Sequence, residues 1–478
     1  MKTTLAMHIN GHWITAAERD VLPLVNPATE EGLGDLPCAT ASDLDTALAA
    51  ADSGFKIWKK RSPAERADIL KRAAALIRER AKDIGETLTL EQGKPIAQGT
   101  WEASYAADIF DWFAEEGKRS YGRLIPGHDA GVSQMLVYEP VGPSLGLTPW
   151  NFPAFTPAMK IAAALAAGCS MIIKASEETP GTCIELVRAC VDAGLPRGVL
   201  NIVFGNPDEI SRHLIVSPVV RKVSFTGSVS VGVHLLKLAA EDVKRVTMEL
   251  GGCAPAIVCG DADVEDAAAK LAQAKYTNAG QVCVSPQRFF VEDNVYDAFA
   301  DAFVAHVQKL KVGPGVDPAN DMGALANPRR LQAMDAFIAD AKSKGAKVLT
   351  GGERIGNKGY FYAPTVLSEV PGEARVMREE VFGPVASLAR FTDFDDLLER
   401  ANSVEVGLSA YAFTSSQTKA DRFAGELEAG LIGVNNVILT APETPYEGLK
   451  QSGFGAEGGA QGLDAYLAPR LVTRRAAN

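Results

Sequence analysis

The spacing of apolar residues predicts a helical N-terminal region followed by two regions in which strands and helices alternate. Between residues 40 and 120 apolar positions recur at helical spacing, most clearly over Ala67–Ala81. Ser42-Asp43 predicts one helix start. Ser62-Pro63-Ala64-Glu65 predicts another, because a serine cap, an early proline and an acidic first turn favour helix N-termini.

From about residue 140 short apolar runs alternate with helical segments. The strands predicted here are Val141–Thr148, Ser170–Lys174, Val199–Phe204, Lys222–Phe225 and Arg245–Leu250. Helices are predicted over Ala158–Ala167 and Pro180–Ala193. This βαβ order predicts a doubly wound α/β fold, in which helices cover a parallel sheet and ligands bind beyond the carboxyl ends of the strands.

A second alternation begins after Gly251-Gly252. Its predicted elements are the strands Ala256–Cys259 and Phe289–Glu292 and the helices Val264–Tyr276, Ala298–Leu310 and Leu331–Lys342. We therefore expect a second α/β domain. The final segment, Tyr466–Arg475, has strand character, and it could pair either with a partner subunit or with a sheet edge of its own chain.

Composition narrows the class of protein. The 478 residues, 47% of them hydrophobic, suffice for two large domains or three smaller ones. A net charge of −11 argues against a nucleic acid or an anionic membrane as partner. No apolar run approaches the roughly 20 residues of a membrane span. Seven cysteines, an odd number, predict a reducing, cytoplasmic location, and the scattered histidines predict no metal site.

Cys283 is the candidate nucleophile. It follows Gly280 and Gln281 in a loop and lies off any apolar face. By contrast, apolar stretches surround four other cysteines: Cys169, Cys183, Cys190 and Cys259. The alternative is that Cys283 is a small buried hydrophobic residue, as most lone cysteines are.

Two further side chains could act beside a nucleophile. Glu249 ends a predicted strand, where a general base would sit, although a solvated strand-end glutamate has the same pattern. Asn151, in Pro149-Trp150-Asn151-Phe152-Pro153, could donate to an oxyanion or could only stabilise a turn.

Glycine patterns give two candidates for phosphate binding. Gly453–Gly458 matches Gly-x-Gly-x-x-Gly, but no βαβ unit follows, so we interpret it as a turn. Thr226-Gly227-Ser228 lies between a strand and a helix, so its backbone N–H groups could face a pyrophosphate. The alternative is an ordinary turn with Ser228 as helix cap.

Together these residues resemble the aldehyde dehydrogenase superfamily. Six blocks keep the family's order: Pro149–Pro153, Lys174–Glu177, Phe225–Ser228, Met248–Gly252, Asn278–Cys283 and Glu379–Pro384. Within the family the chain looks most like succinate-semialdehyde and 2-oxoglutarate-semialdehyde dehydrogenases, to judge from Gly323–Leu331 and Ser452–Tyr466.

The resemblance implies a domain plan. It comprises a dinucleotide-binding domain (1–120 and 141–251), a catalytic cysteine domain (252–450) and small β segments for oligomerisation (121–140 and 460–478). It also implies a homodimer or homotetramer.

The resemblance implies NAD(P)-dependent oxidation of a small aldehyde to the free acid through a cysteine thioester. Cys283 would attack the aldehyde, and the Asn151 side chain with the Cys283 backbone N–H would hold the oxyanion. Glu249 would activate the hydrolytic water, which argues against a CoA-acylating or non-catalytic relative. The resemblance also implies that Lys160 and Glu457 relay protons, although Ala456 stands where the family has arginine.

For the cofactor, the resemblance assigns a set of residues to the dinucleotide: Trp150, Asn151, Lys174, Ala175, Ser176, Glu177, Gly227, Ser228, Leu250, Glu380 and Phe382. Because a carboxylate that accepts from ribose hydroxyls repels a 2′-phosphate, Glu177 predicts NAD over NADP. Lys174 nearby could soften that preference.

The expected substrate pocket comprises Phe152, Thr156, Met159, Thr277 and Arg119. Thr277 stands where acid-semialdehyde members usually carry arginine, so a bidentate carboxylate clamp is partly missing. Arg119 could supply charge or could be a solvated helix-end residue. A semialdehyde is the first expectation, and a neutral aliphatic or aromatic aldehyde is the alternative. Ser285, two positions after Cys283, excludes a disulfide at that spacing.

Overall fold

Two large sheets build the fold, and the chain passes from one to the other between Leu250 and Ala254. The computed structural model describes residues 3–17 and 19–475. Strands of the first half are β1 (Met7–Ile9), β2 (His12–Ile14), β3 (Val21–Val25), β4 (Gly32–Pro37), β5 (Arg123–Pro126), β6 (Val132–Pro140), β7 (Ser144–Leu147), β8 (Met171–Lys174), β9 (Leu200–Val203), β10 (Lys222–Gly227) and β11 (Arg245–Leu250). Its helices are α1 (Ala41–Trp58), α2 (Pro63–Glu79), α3 (Ala81–Gln92), α4 (Ile96–Glu116), α5 (Phe155–Ala167), α6 (Pro180–Asp192), α7 (Pro207–Ile215) and α8 (Val229–Ala240).

The second half contributes the remaining elements. Its strands are β12 (Ala254–Val258), β13 (Pro286–Glu292), β14 (Lys347–Thr350), β15 (Thr365–Ser368), β16 (Val385–Phe391), β17 (Val406–Gly407), β18 (Ser409–Phe413), β19 (Leu431–Val434), β20 (Leu449–Lys450), β21 (Gly453–Phe454) and β22 (Leu467–Arg475). Its helices are α9 (Val264–Tyr276), α10 (Tyr296–Val307), α11 (Pro328–Ser343), α12 (Phe394–Asn402), α13 (Gln417–Glu426) and α14 (Gly459–Asp464).

The first sheet has the order β2-β1-β9-β8-β7-β10-β11-β21. Its centre, from β9 to β11, is parallel throughout, which confirms the doubly wound α/β prediction. The outer strands β1 and β21 pair antiparallel with it. The carboxyl ends of β8, β10 and β11 therefore lie along one edge, the edge at which ligands bind in such sheets.

The helix starts follow the capping rules, with one correction. Ser62 caps α2, and Glu65 completes the capping box as the sequence predicts. For α1 the cap is Thr40 rather than Ser42-Asp43, because the Thr40 side chain accepts from the Asp43 N–H while Asp43 bonds back to the Thr40 backbone. Asp43 thus belongs to the first turn.

The second sheet has the order β14-β15-β16-β13-β12-β18-β19, and every pair except β14–β15 is parallel. The predicted helices of this half appear as α9, α10 and α11, shifted by at most three residues at their ends. Each large sheet lies within its own cluster of buried apolar residues. The junction between the two clusters is where Glu249 and Cys283 must meet if they are to act together.

A third sheet has the order β22-β6-β5. β22 pairs antiparallel with β6 over nine residue pairs, so the final strand pairs with a strand of its own chain. The sheet exposes large apolar side chains, among them Leu124 and Leu471. Its use in oligomerisation stays a prediction.

The glycine motif is a short edge strand rather than the turn that we expected. β21 pairs antiparallel with β11, placing Gly453 opposite Glu249. Gly453 has φ +112°, and a Cβ there would overlap the Met248 carbonyl oxygen. Glycine is required because β21 must approach the backbone of β11 this closely. Among the described residues, no helix is long and apolar enough to cross a membrane.

Candidate active site

The loop that carries Cys283 has an unusual backbone. Directly after α9, Asn278, Ala279 and Gly280 all have positive φ, at 51°, 53° and 71°. A Cβ at Gly280 would overlap the Gly383 carbonyl oxygen, and the Asn278 N–H donates to Gln98 Oε1 at 3.0 Å. Such conformations persist only where surrounding contacts enforce them, and they concentrate at functional sites.

Cys283 lies in an apolar setting, which corrects the expectation that it stands off any apolar face. It is half-buried and packs with Val284 against Leu408, Leu431 and Tyr446. Burial, together with the nearby Glu380 and Glu249 carboxyls, raises the pKa of the Cys283 thiol to about 12. The free chain therefore holds this residue as a thiol at neutral pH, and a base must remove its proton.

A tyrosine that the sequence did not single out contacts the thiol. The Tyr446 hydroxyl lies 2.9 Å from the Cys283 sulfur. This hydrogen bond lowers the pKa of Cys283, against the effect of burial. No local pattern could have revealed the contact, because the two residues are 163 positions apart.

Glu249 has the environment of a general base. It is the fifth residue of β11 and is 3% exposed, and neither carboxylate oxygen has a hydrogen-bond partner among the described residues. Burial raises the pKa of Glu249 well above its usual range, Glu457 raises it further, and Lys160 opposes the shift. A buried carboxyl without a partner is costly for folding, and such groups with raised pKa values concentrate at catalytic sites. The solvated strand-end alternative is wrong.

Asn151 lies against the cysteine loop. Its side-chain Nδ2 donates to the Gln281 carbonyl oxygen at 3.0 Å, and its own carbonyl oxygen accepts from Asn278 Nδ2 at 2.9 Å. Because an amide nitrogen carries two hydrogens, the second remains available for an oxyanion. The structure thus brings Asn151 to the loop two residues before Cys283.

A buried ion pair that no local sequence pattern predicts holds the Asn151 turn. Lys94 and Glu102 lie 2.6 Å apart, with side chains 1% and 0% exposed. Lys94 Nζ also donates to the Asn151 carbonyl oxygen at 2.8 Å. Glu102 accepts from the backbone N–H groups of Ala154 and Phe155, at the start of α5. A carboxylate is favourable at a helix N-terminus because the helix dipole is positive there. Through these contacts the ion pair links α4, α5 and the Asn151 turn.

Lys160 and Glu457 form the contact expected of them. Lys160 Nζ bonds Glu457 Oε1 directly, and it also donates to Thr226 Oγ1 at 2.7 Å and Ser224 Oγ at 3.2 Å. The Glu457 backbone pairs with Tyr446, since the Glu457 N–H donates to the Tyr446 carbonyl oxygen at 2.9 Å. This ion pair therefore joins the first sheet to the segment that contacts the thiol.

The adenosine-side candidates lie at the carboxyl end of β8. Lys174 Nζ and Glu177 Oε1 are 2.5 Å apart, and Ala175 and Ser176 between them are buried. A carboxylate and an ammonium at this strand end offer the acceptor and the donors that a ribose requires. The donor set therefore fits the adenosine half of a dinucleotide.

The pyrophosphate candidates lie at the next crevice of the same edge. Gly227 ends β10, and Ser228 is the exposed N-cap of the 12-residue α8, as one reading of the sequence proposed. α8 packs closely on Leu250 at Gly232, where a Cβ would come within 2.6 Å of Leu250 Cδ2. The N-terminus of α8 thus presents free N–H groups of the kind that bind phosphate.

The nicotinamide-side candidates lie where the two sheets meet. Glu380 Oε1 accepts from the Gly252 N–H at 3.2 Å, and burial raises the pKa of Glu380 to about 7. Phe382 has φ 48° and packs edge-on against Trp150, with ring centroids 5.4 Å apart. An acceptor for ribose hydroxyls and an aromatic wall therefore lie together, and the residues fit NAD(P).

The proposed substrate residues divide into two groups. Phe152, Thr156 and Met159 lie at or near the start of α5, and the Thr156 hydroxyl donates to the Phe152 carbonyl oxygen at 2.8 Å. The Thr277 hydroxyl is used locally, because it donates to the Gln273 carbonyl oxygen at 2.8 Å. Thr277 is the C-cap of α9, and its side chain carries no charge that could bind a substrate carboxylate.

Arg119 does not join this group. It is exposed and forms an ion pair with Glu116 at 2.8 Å. The adjacent Gly117 packs against Ala166, near the end of α5, about 15 Å along that helix from Thr156 at 1.5 Å per residue. The solvated helix-end interpretation fits this placement, and the interpretation as a substrate-binding charge does not.

An aromatic row on α4 and α5 was not foreseen. Trp101 is 57% exposed and stacks on Tyr105 at 5.0 Å, and Tyr105 stacks on Phe155 at 5.8 Å. Phe155 contacts the Phe152 ring edge-on at 6.2 Å. The i, i+4 spacing of Trp101 and Tyr105 predicts one helix face, but their meeting with α5 depends on helix packing. The row leads from the surface to the residue after Asn151.

Comparison with known proteins agrees with this geometry. The model of the aldehyde dehydrogenase family matches residues 13–472. Succinate-semialdehyde dehydrogenase [NADP(+)] GabD of Escherichia coli (strain K12) is 41% identical over 96% of this chain and 95% of its own. 4-(Hydroxymethyl)benzenesulfonate dehydrogenase TsaD1 of Comamonas testosteroni is 44% identical over 97% of both. The crystal structure of succinate-semialdehyde dehydrogenase from Burkholderia pseudomallei superimposes with a TM-score of 0.97 at 40% identity, covering 99% of this chain and 98% of that one.

Proposed function

The chain belongs to the aldehyde dehydrogenase family, and we propose that Cys283, Asn151 and Glu249 are the residues with which it oxidises an aldehyde to the free acid. The single observation that carries this proposal is the buried Glu249 carboxyl, which has no hydrogen-bond partner in the described part of the chain and lies close enough to Cys283 to raise the pKa of the thiol. An unpaired carboxyl beside a nucleophile is what hydrolysis of a thioester requires.

In the first step the Cys283 sulfur loses its proton to a base and bonds to the aldehyde carbon. The carbonyl electron pair moves to oxygen, where the free N–H of Asn151 Nδ2 and the Cys283 backbone N–H are the proposed donors. The bound dinucleotide supplies the acceptor for the hydride that leaves the aldehyde carbon. The carbonyl re-forms and leaves a thioester on Cys283.

In the second step Glu249 takes a proton from water, and the resulting oxygen nucleophile attacks the thioester. The carbon–sulfur bond breaks, its electron pair returns to the Cys283 sulfur, and the acid departs. Glu457 and Lys160 bond each other and both lie close enough to Glu249 to shift its pKa, and this proximity supports a role for the pair in carrying the proton away. A dehydrogenase that transfers its acyl group to CoA would have no use for such a base.

A semialdehyde is the substrate class that we propose first. The support is the similarity to succinate-semialdehyde and glutarate-semialdehyde dehydrogenases at about 40% identity over nearly the full chain. Thr277 stands where an arginine of the clamp is missing and bonds within its own helix, and Arg119 pairs with Glu116, so neither residue supplies a guanidinium to the substrate carboxylate.

An aromatic aldehyde is the second candidate, and the aromatic row favours it. Trp101, Tyr105 and Phe155 stack between the surface and the Asn151 turn, a surface suited to a flat ring. The name of the relative that is 44% identical, 4-(hydroxymethyl)benzenesulfonate dehydrogenase, indicates a ring-containing substrate for that protein.

NAD(P)H formation with a panel of aldehydes tests both candidates. The panel includes succinate, glutarate and 2-oxoglutarate semialdehydes, benzaldehyde and propanal, each with and without CoA, and Cys283→Ala serves as the inactive control. Acid release without CoA supports the proposed function, and no turnover of any aldehyde refutes it. Trp101→Ala should lower kcat/KM for benzaldehyde by up to about tenfold and leave propanal unchanged, as loss of one aromatic contact predicts.

The cofactor preference, the assembly and the location follow as finer proposals. The family uses NAD or NADP, and we propose NAD for this chain because the Glu177 carboxylate disfavours a 2′-phosphate. Aldehyde dehydrogenases are typically oligomeric, and we propose a homodimer or homotetramer. A cytoplasmic location is proposed from the odd number of cysteines.

A further inference from the structure

Tyr446 contacts the Cys283 sulfur, the atom that bonds to the aldehyde carbon, although neither proposed step assigns a role to the tyrosine. Its hydroxyl lies 2.9 Å from the Cys283 sulfur, and its ring packs with Leu408 and Leu431. The side chain is 9% exposed, and the backbone is held by the pairing with Glu457. The packing of the ring and the pairing of the backbone therefore hold the Tyr446 hydroxyl within hydrogen-bond distance of the Cys283 sulfur.

The strength of the hydrogen bond between Tyr446 and the Cys283 sulfur must change during the reaction. With a protonated thiol, either group can donate to the other. Once the sulfur is a thiolate it can only accept, so the Tyr446 O–H must be the donor. A thioester sulfur carries no charge and is a weak acceptor. Hydrogen bonds to ionised acceptors are roughly twice as strong as neutral ones, so this bond is strongest in the thiolate state.

We propose that Tyr446 is a further catalytic residue, which donates its phenolic O–H to the Cys283 sulfur whenever that sulfur carries negative charge. That condition arises twice. It arises before acylation, when the thiol has lost its proton, and again in hydrolysis, when the carbon–sulfur bond breaks and its electron pair returns to sulfur. The phenol keeps its proton throughout. This inference deepens the proposed function and rests on it.

The other titratable groups around the sulfur cannot replace this donor. Glu249 on β11 and Glu380 before β16 disfavour the thiolate, since both raise the pKa of Cys283. Tyr411 on β18 directs its hydroxyl to the Val284 carbonyl oxygen at 2.6 Å. Among the described residues, these groups and Tyr446 are the titratable side chains that act on Cys283, and of these only Tyr446 has a side-chain hydrogen bond with the sulfur.

Tyr411 makes a matched control. Tyr446→Phe removes a hydroxyl from the sulfur, and Tyr411→Phe removes a hydroxyl from the neighbouring residue of the same loop. A role limited to holding the loop predicts similar effects from both variants. A role at the sulfur predicts an effect from Tyr446→Phe alone. Replacement of Tyr446 by 3-fluorotyrosine supplies the rescue, because its more acidic hydroxyl is a stronger donor of nearly the same size.

Alkylation of Cys283 by iodoacetamide measures the sulfur without any aldehyde. Second-order rates are taken from pH 6.5 to 9.5, with Cys283→Ala as background. We expect Tyr446→Phe to have about tenfold less thiolate than the wild-type protein, but a less stabilised thiolate is a better nucleophile. The two effects together should make alkylation of Tyr446→Phe about threefold slower over the whole pH range. Single-turnover acylation and hydrolysis should each slow by about tenfold, with the dissociation constant of the dinucleotide unchanged.

The outcomes separate the possibilities. Slow alkylation in Tyr446→Phe, normal alkylation in Tyr411→Phe and recovery with 3-fluorotyrosine support the proposal. Wild-type rates in Tyr446→Phe, equal losses in both phenylalanine variants, or no recovery with fluorotyrosine would overturn it. If Tyr446→Phe fails to fold, the fluorotyrosine protein still decides, since it should alkylate at least as fast as wild type. The expected alkylation pattern without turnover of any aldehyde would refute the proposed function, and with it the catalytic role of Tyr446, while the donation of the Tyr446 hydroxyl to the sulfur would still be supported.

Discussion

Replacing Glu249 by glutamine should cost activity and increase stability, and the gain in stability should grow with pH. The carboxyl is 3% exposed and has no hydrogen-bond partner among the described residues, and its pKa is raised well above the usual value. Such a group binds its proton more tightly in the folded state than in the unfolded state. Raising the pH above the unfolded pKa of about 4.3 therefore lowers the free energy of unfolding of the wild-type protein.

The magnitude follows from proton linkage. Between the unfolded pKa and the raised folded pKa of Glu249, the wild-type protein should lose about 1.4 kcal/mol per pH unit relative to Glu249→Gln. Glutamine has nearly the same shape and does not titrate in this range. The stability difference should therefore widen from pH 5 upward and become constant once the folded pKa is passed.

Urea unfolding at pH 5, 6, 7 and 8 measures this difference, with the exposed Glu399→Gln as control. In parallel, single-turnover assays with a semialdehyde should show Glu249→Gln forming one equivalent of NAD(P)H and accumulating a thioester on Cys283. Parallel stability curves for the wild-type and Glu249→Gln proteins would refute the electrostatic reasoning. Normal steady-state turnover in Glu249→Gln would refute its role as the base.

Three further changes test other parts of the site. Glu177→Gln should raise kcat/KM with NADP relative to NAD, because it removes the charge that repels a 2′-phosphate; an unchanged ratio would contradict the cofactor proposal. Glu102→Gln should lower the free energy of unfolding by about 3–5 kcal/mol and reduce kcat, because it leaves Lys94 buried without its partner; unchanged thermal denaturation would argue against this role. Arg119→Ala should leave KM for succinate semialdehyde unchanged, and a large rise would restore Arg119 to the substrate site.

Local sequence patterns predicted the five central strands of the first sheet, β7 to β11, and several helix boundaries, but only β12 and β13 of the seven strands of the second sheet. Hydrophobic runs and caps depend on neighbouring residues only, which is why Ser62 caps α2 and α9 spans Val264–Tyr276 as expected. One error was local and the other was not. Thr40 rather than Ser42 caps α1, and Gly453 lies in an edge strand because of a backbone approach that no local pattern encodes.

By itself the sequence determined the α/β class, the ordered motif blocks and the identities of Cys283, Glu249 and Asn151 as candidates. Only the tertiary structure decided their environments. The pKa values of Glu249 and Cys283 depend on burial, and burial depends on how the two sheets pack. The Tyr446–Cys283 contact joins residues that are distant in the chain. The Lys94–Glu102 ion pair lies in the interior, where Lys94 bonds the Asn151 turn. Desolvation and long-range pairing are properties of the packed molecule, so no window of sequence contains them.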